Sequence, residues 1–286
     1  MTRCAKRMLA AMALATAVAA GGPLGLAPAV PWVGSTASAE GHGSGEVDLE
    51  LLLAVDTSSS VSAGEFDLQM RGLAAAFRHP AVLAAIEAIG DLGIAVALIQ
   101  WSDARNQFVA IDWTAVRDEA SALVLADEID NSPRFLIGGG TAIGAALEFS
   151  LRQFERSPFA SRRQVIDLSG DGRTNQGAEP APIRDQAVAR GITINGLAIL
   201  NEDPYVGRYY SFNVIGGTGA FVMTAADYED FEDAMLQKLI KEIAGVPVAA
   251  APPPAPATDP RMDPATDPDA SGAVQIGAAA APLQEQ

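Results

Sequence analysis

The chain has 286 residues, 49% of them hydrophobic and 19% charged, a globular composition with room for one large domain or two small ones. Its formal net charge of −16 makes it a poor partner for nucleic acid, whose phosphates it repels, and favours divalent cations and basic partners. One cysteine, Cys4, excludes an intrachain disulfide and a zinc–thiolate cluster.

The first segment, "MTRCAKRMLAAMALATAVAA", places Arg3, Lys6 and Arg7 before an apolar run rich in Ala and Leu. "STASAE" then sets Ala37 and Ala39 around Ser38, so residues 1–39 read as a secretory signal peptide cut after Ala39. A membrane anchor is the competing reading, but Gly21, Gly22, Pro23, Gly25 and Pro28 break the run before the length a span needs. No second long apolar run follows, so no membrane span is expected in the mature chain. Export without disulfides points to a bacterial periplasm or exterior. Cys4 leaves with the signal, and the mature charge becomes −19, from 35 acidic and 16 remaining basic residues. Residues 40–46 read as a linker.

From residue 47 to 245 strand-like and helix-like segments alternate. "VDLELLLAVD" is an almost continuous apolar run, as expected of a strand buried on both faces. "GEFDLQMRGLAAAFR" puts Phe66, Met70, Leu73, Ala74 and Phe77 on one helical stripe, with Ser62 and Glu65 in capping-box spacing before it. "GIAVALIQW" (93–101) and "QFVAIDW" (107–113) are two further strands joined by a short turn. Helices are expected over "TAVRDEASALVLADEID" (114–130) and "TAIGAALEFSLRQFE" (141–155). "RQVIDLSGDG" (163–172) is a strand entering a loop, and "APIRDQAVARG" a helix closed by Gly191. "ITINGLAIL" and "AFVMTA" complete the strands, and "DYEDFEDAMLQKLIKEIAG" is the last helix. The aromatic stretch "NEDPYVGRYYSFNVIGG" (201–217) reads as a packed loop, with a role in shaping a binding face as the alternative. Residues 246–286 hold nine of the 18 prolines and the echo "ATDP…MDP…ATDP", a disordered Pro/Ala-rich tail.

Strands separated by helices predict an α/β domain with a mostly parallel central sheet and helices on both faces. In such sheets ligand sites form at the carboxyl ends of the strands. Three segments at expected strand ends are rich in oxygen. Asp56-x-Ser58-x-Ser60 follows the first strand, and its alternate residues point the same way. Thr141 follows three glycines in "GGGTAIG", and Asp171 lies between two glycines in "DLSGDG". Hydroxyls with a few carboxylates are the ligands that Mg²⁺, Mn²⁺ and Ca²⁺ prefer.

Together these residues resemble the metal-ion-dependent adhesion site of von Willebrand factor A domains, over residues 47–245. "VDTSSSV", "QWSD", "IGGGTAIG", "DLSGDG" and "NVIGGTGAFV" resemble a bacterial exported branch classed as a domain of unknown function. The resemblance implies a Rossmann-like three-layer α/β fold. It also implies a metal set: Ser58 and Ser60 through their hydroxyls, Thr141 directly or through water, and Asp56 and Asp171 directly or by holding waters. One departure is Gly170, where many relatives carry Ser; it puts a hydroxyl beside the metal ligands in question and lets the loop shift.

Simpler readings stand beside these. Asp56 and its serines could form a turn and cap, but Ser62 with Glu65 already fills that role. Thr141 could cap its helix, and Asp171 could be a turn residue. "GGGTAIG" lacks the Lys-Ser/Thr of a phosphate loop. Only His42 and His79 are available for acid–base work, so a Ser–His–Asp arrangement has little material. The expected function is therefore non-enzymatic: an exported module that binds an acidic group of a protein or peptide through a divalent cation, Mg²⁺ first, with Mn²⁺ and Ca²⁺ as alternatives. A metal-assisted envelope hydrolase and a structural component with a vestigial site are the competing readings.

Overall fold

A computed structural model describes residues 44–245. The expected signal peptide, most of the expected linker and the expected tail lie outside the described residues. The elements in chain order are β1 (Gly45–Asp56), α1 (Ala63–Arg78), α2 (Pro80–Ile89), β2 (Ile94–Trp101), β3 (Gln107–Val116), α3 (Glu119–Asp130) and α4 (Ile143–Arg156). They continue with β4 (Phe159–Gly170), α5 (Pro180–Ala189), β5 (Thr193–Ile199), α6 (Val206–Asn213), β6 (Val222–Ala225) and α7 (Phe231–Ala244).

The sheet order is β3-β2-β1-β4-β5-β6. β3 runs antiparallel to β2, and the other neighbours are parallel. The alternation of β1 explains the two cores. Leu49, Leu51, Leu53 and Val55 face a cluster with Phe66, Leu73 and Phe77 of α1 and Met235 and Leu239 of α7. Leu52 and Ala54 face the opposite cluster, with Trp101, Leu147 of α4, Ile183 of α5 and Tyr210 of α6. A strand buried on both sides is apolar on both faces, which is why residues 51–55 of β1 form a continuous apolar run.

The chain builds outward from β1 in one direction through β2 and β3, then returns to β4 on the other side. The carboxyl ends of β1 and β4 are therefore neighbours at the point where the winding reverses, the usual place for a ligand crevice in an open α/β sheet. The register pairs Val55 with Ser169, so Asp56 ends beside Gly170.

Three elements differ from expectation. The helix expected over 114–130 begins only at Glu119, because Thr114–Val116 pair with Ile94–Val96 and extend β3. Asp118 and Ser121 then form a capping box, the stronger local start signal. Pro80–Ile89 is a helix that periodicity alone did not reveal; Pro80 opens it and the His79 ring accepts from the Ala81 N–H. The stretch 201–217, expected as a packed loop, contains α6, and Tyr210 within it is fully buried.

A buried ionic cluster fixes α7 to the sheet. Lys238 is 0% exposed, 2.7 Å from Asp167 of β4 and paired with Glu242 one turn on. The Asn195 side-chain amide donates to Glu242 at 2.9 Å. Two acids share one cation here, so burial and the Asp167 charge push the Glu242 carboxyl up to about 8. Its folded pKa lies above the ordinary value of 4.5, so the native state keeps a proton that the unfolded chain releases. That stability is full below pH 4.5 and is lost as pH rises toward 8. Lys238→Met leaves two buried carboxylates facing each other. Urea unfolding is expected to show a loss of roughly 3–5 kcal/mol, larger at pH 8 than at pH 5.

Candidate metal centre

The first loop starts where β1 runs out. Asp56 is fully buried, and its Oδ1 accepts from the Ser58 N–H at 2.7 Å, a local turn of the kind Asp favours. This turn brings the Ser58 and Ser60 hydroxyls within 3.1 Å of each other. The intervening residues point elsewhere, as the alternation predicts. The Thr57 hydroxyl donates to the Trp101 carbonyl at 2.9 Å, and the Ser59 hydroxyl accepts from the Gly139 N–H at 2.9 Å.

The second loop closes against the first. The Ser59 N–H donates to the Gly139 carbonyl at 3.0 Å, so the two loops exchange hydrogen bonds in both directions. Gly139 holds φ +110°, a backbone conformation that side-chain-bearing residues rarely adopt. Arg134 clamps the pair, donating to the carbonyls of Thr57, Ser58, Val61 and Leu136. Thr141 is pinned by Asn175: its N–H donates to Asn175 Oδ1, and its carbonyl accepts from the Asn175 N–H, both at 2.9 Å. Thr141 does not cap α4. The cap position is Ala142, without a side-chain hydrogen bond.

The third loop completes the cup. Asp171 follows β4 directly and is fully buried. Its Oδ1 accepts from the Ser60 hydroxyl at 2.7 Å, and its Oδ2 from the Tyr228 hydroxyl at 3.0 Å. A side chain on Gly172 would begin 3.6 Å from the Thr141 hydroxyl oxygen, which places Thr141 against this loop. Asp56, Ser58, Ser60 and Asp171, separated by up to 115 residues in sequence, are thus brought together, with Thr141 against the loop that follows Asp171.

The electrostatics are unbalanced. Asp56 Oδ2 is buried and has no hydrogen-bond partner. Burial and the Asp171 charge push the Asp56 carboxyl up to about 7, and Arg134 only partly offsets them. Among the described residues no cluster of three or more His, Cys, Asp or Glu side chains is placed to hold a metal. The cup is built from two carboxylates and three hydroxyls, an oxygen-only set suited to a hard divalent cation. A cation fits it on chemistry, and the unpartnered Asp56 oxygen is where positive charge is missing.

Sequence reasoning missed the supporting residues. Gln69 donates to the Asp56 carbonyl at 3.2 Å, and Tyr228, Arg134 and Asn175 hold the loops. Each sits in a segment read as helix or left without a role. A polar residue inside an otherwise apolar stripe, as Gln69 is, was the one available signal.

The family model described as "Protein of unknown function (DUF1194)" matches residues 46–247. No curated protein sequence matches the chain. Among solved structures, a von Willebrand factor type A protein from Catenulispora acidiphila is similar at TM-score 0.50 and 16% identity, over 69% of this chain and 43% of its own. Proximal thread matrix protein 1 from the mussel byssus, with a zinc-occupied MIDAS motif, aligns at TM-score 0.49 and 17% identity over 69% of this chain and 46% of its own. The von Willebrand factor domain of the pilus tip protein Mfa5 from Porphyromonas gingivalis aligns at 0.49 and 12%, over 72% of this chain and 98% of its own. The chain spans less than half the length of the first two proteins. The Catenulispora likeness is one of fold.

Removing the unbalanced charge tests this electrostatic account. Asp56→Asn keeps the acceptor for the Ser58 N–H and eliminates the buried carboxylate. In cation-free buffer at pH 8 its melting temperature is expected to exceed that of the native sequence by at least ~2–4 °C, about 1 kcal/mol for a domain of this size.

Proposed function

The chain belongs to the DUF1194 family and folds as a von Willebrand factor A-type domain, and on that premise we propose that it is an exported, divalent-cation-dependent binding module for an acidic group of a protein or peptide. The observation that carries this reading is the cup itself: two buried carboxylates and three hydroxyls converge from three loops, and one carboxylate oxygen is unpartnered. Ser58, Ser60, Thr141, Asp56 and Asp171 would hold the cation, by direct contact or through water. Mg²⁺ suits the set best, and Mn²⁺ and Ca²⁺ are the alternatives. The bound cation supplies the local positive charge that a ligand carboxylate needs to approach a chain of net charge −16.

The remaining features are the chain's own. Arg134 and the Ser59–Gly139 hydrogen bonds hold the loops in place before a ligand arrives, which lowers the ordering cost of binding. Ile137 is 94% exposed beside the Gly-rich loop, an apolar contact at the lip that supports a protein or peptide ligand over a small anion. Export is supported by the signal-like residues 1–39. Binding is favoured over turnover because His79, the histidine among the described residues, is committed to capping α2.

A synthetic peptide array tests the reading. With Mg²⁺, the peptides retained are expected to carry Asp or Glu, and chelation or Asp56→Ala is expected to release them. Retention of peptides lacking carboxylates, or retention unchanged by chelator, would contradict it.

A further inference from the structure

Tyr210 reaches the cup from the face of the sheet opposite Tyr228. Tyr228 belongs to the core beneath α1 and α7, and Tyr210 to the core beneath α4 and α5. The Tyr210 side chain is 0% exposed, and its hydroxyl has no hydrogen-bond partner among the described residues. A ring needed only for packing would be served by Phe, without burying a hydroxyl that must find a partner.

The space around Gly170 shows what that hydroxyl faces. A side chain on Gly170 would begin 2.7 Å from Tyr210 Oη, 2.8 Å from Asp56 Oδ2 and 3.3 Å from Trp101 Cζ2. Asp56 Oδ2 and the Trp101 indole N–H are themselves buried and unpartnered. One acceptor and one hydroxyl therefore border the same small space, with the edge of the Trp101 ring beside them. They are close enough for a direct bond after a small shift or for one bridging water.

A second link ties this segment to the third loop. Arg173, two residues after Asp171, pairs with Asp203 at 2.6 Å and lies over the Tyr209 ring at 5.7 Å. The segment before and within α6 is thus anchored to the cup by Arg173 as well as by Tyr210.

We propose that Tyr210 is a positioning residue of the cation site: its hydroxyl donates to Asp56 Oδ2, directly or through one water, and aims that carboxylate into the cup. In doing so it fills the space that a side chain at residue 170 would occupy, so Gly170 and Tyr210 act as a matched pair. The inference rests on the cation reading above and extends the site to a helix outside the three loops.

The test measures Mn²⁺ affinity by calorimetry and the cation-free melting temperature, on the full chain and three variants. Tyr210→Phe is expected to weaken Mn²⁺ binding roughly tenfold and, because Asp56 Oδ2 loses a donor, to lower the cation-free melting temperature modestly. Gly170→Ser is expected to impair both, because its side chain meets the Tyr210 hydroxyl and Asp56 Oδ2. Combining Gly170→Ser with Tyr210→Phe is expected to recover affinity over Gly170→Ser alone. Native Mn²⁺ affinity in Tyr210→Phe would overturn the inference and leave the cation reading standing. No recovery in the combined variant would mark a packing role and overturn it too. Absence of Mn²⁺ binding by the unaltered chain would overturn both.

Discussion

Asp56 and Asp171 are two carboxylates buried side by side because β1 and β4 are adjacent parallel strands that end together. Everything at this end of the sheet is arranged around that crowding. The Ser58 N–H and the Ser60 and Tyr228 hydroxyls each take one carboxylate oxygen, and the fourth, Asp56 Oδ2, is left over. Arg134 is close enough to ease the repulsion, yet it spends its donors on backbone carbonyls. It fixes the shape of the loops and does not neutralise the acids.

The same chain handles a second buried acid pair differently. Asp167 and Glu242 lie beneath α7 with Lys238 between them. There the fold carries its own cation, and the result is a fixed attachment of helix to sheet. At the cup no lysine or arginine forms an ion pair with Asp56 or Asp171 among the described residues. Burying a charge without a partner is expensive, and the fold supplies its own counter-charge beside Asp167 but none paired with Asp56. On the proposed reading the cup is a site and the Lys238 cluster a structural joint.

The fold was legible because the runs 51–55 of β1 and 94–99 of β2 are too apolar for anything but buried strand, and several helices between the strands carry stripes or caps. The cup's five residues were legible as a candidate set, because Asp56-x-Ser58-x-Ser60, Thr141 and Asp171 each follow a readable strand or glycine run. What supports them was not. Arg134 acts through hydrogen bonds to residues about 75 positions away, and nothing in its neighbourhood announces that. Tyr210 sits in a stretch whose mixed aromatic and polar residues lack a single helical stripe, yet α6 forms because tertiary burial of Val206 and Tyr210 outweighs weak local preference. The helix expected from Thr114 lost its first residues to β3, since pairing with β2 is a long-range gain that a local pattern does not contain.

The account turns on whether a divalent cation enters among these three loops. A crystal structure of the full chain grown with Mn²⁺, with anomalous scattering recorded to locate the ion, decides it most directly. The account predicts one strong anomalous peak within coordination distance of oxygens from Asp56, Ser58, Ser60, Thr141 or Asp171, or of waters they hold. A well-ordered structure with no such peak there, or with Mn²⁺ bound only elsewhere, would contradict it.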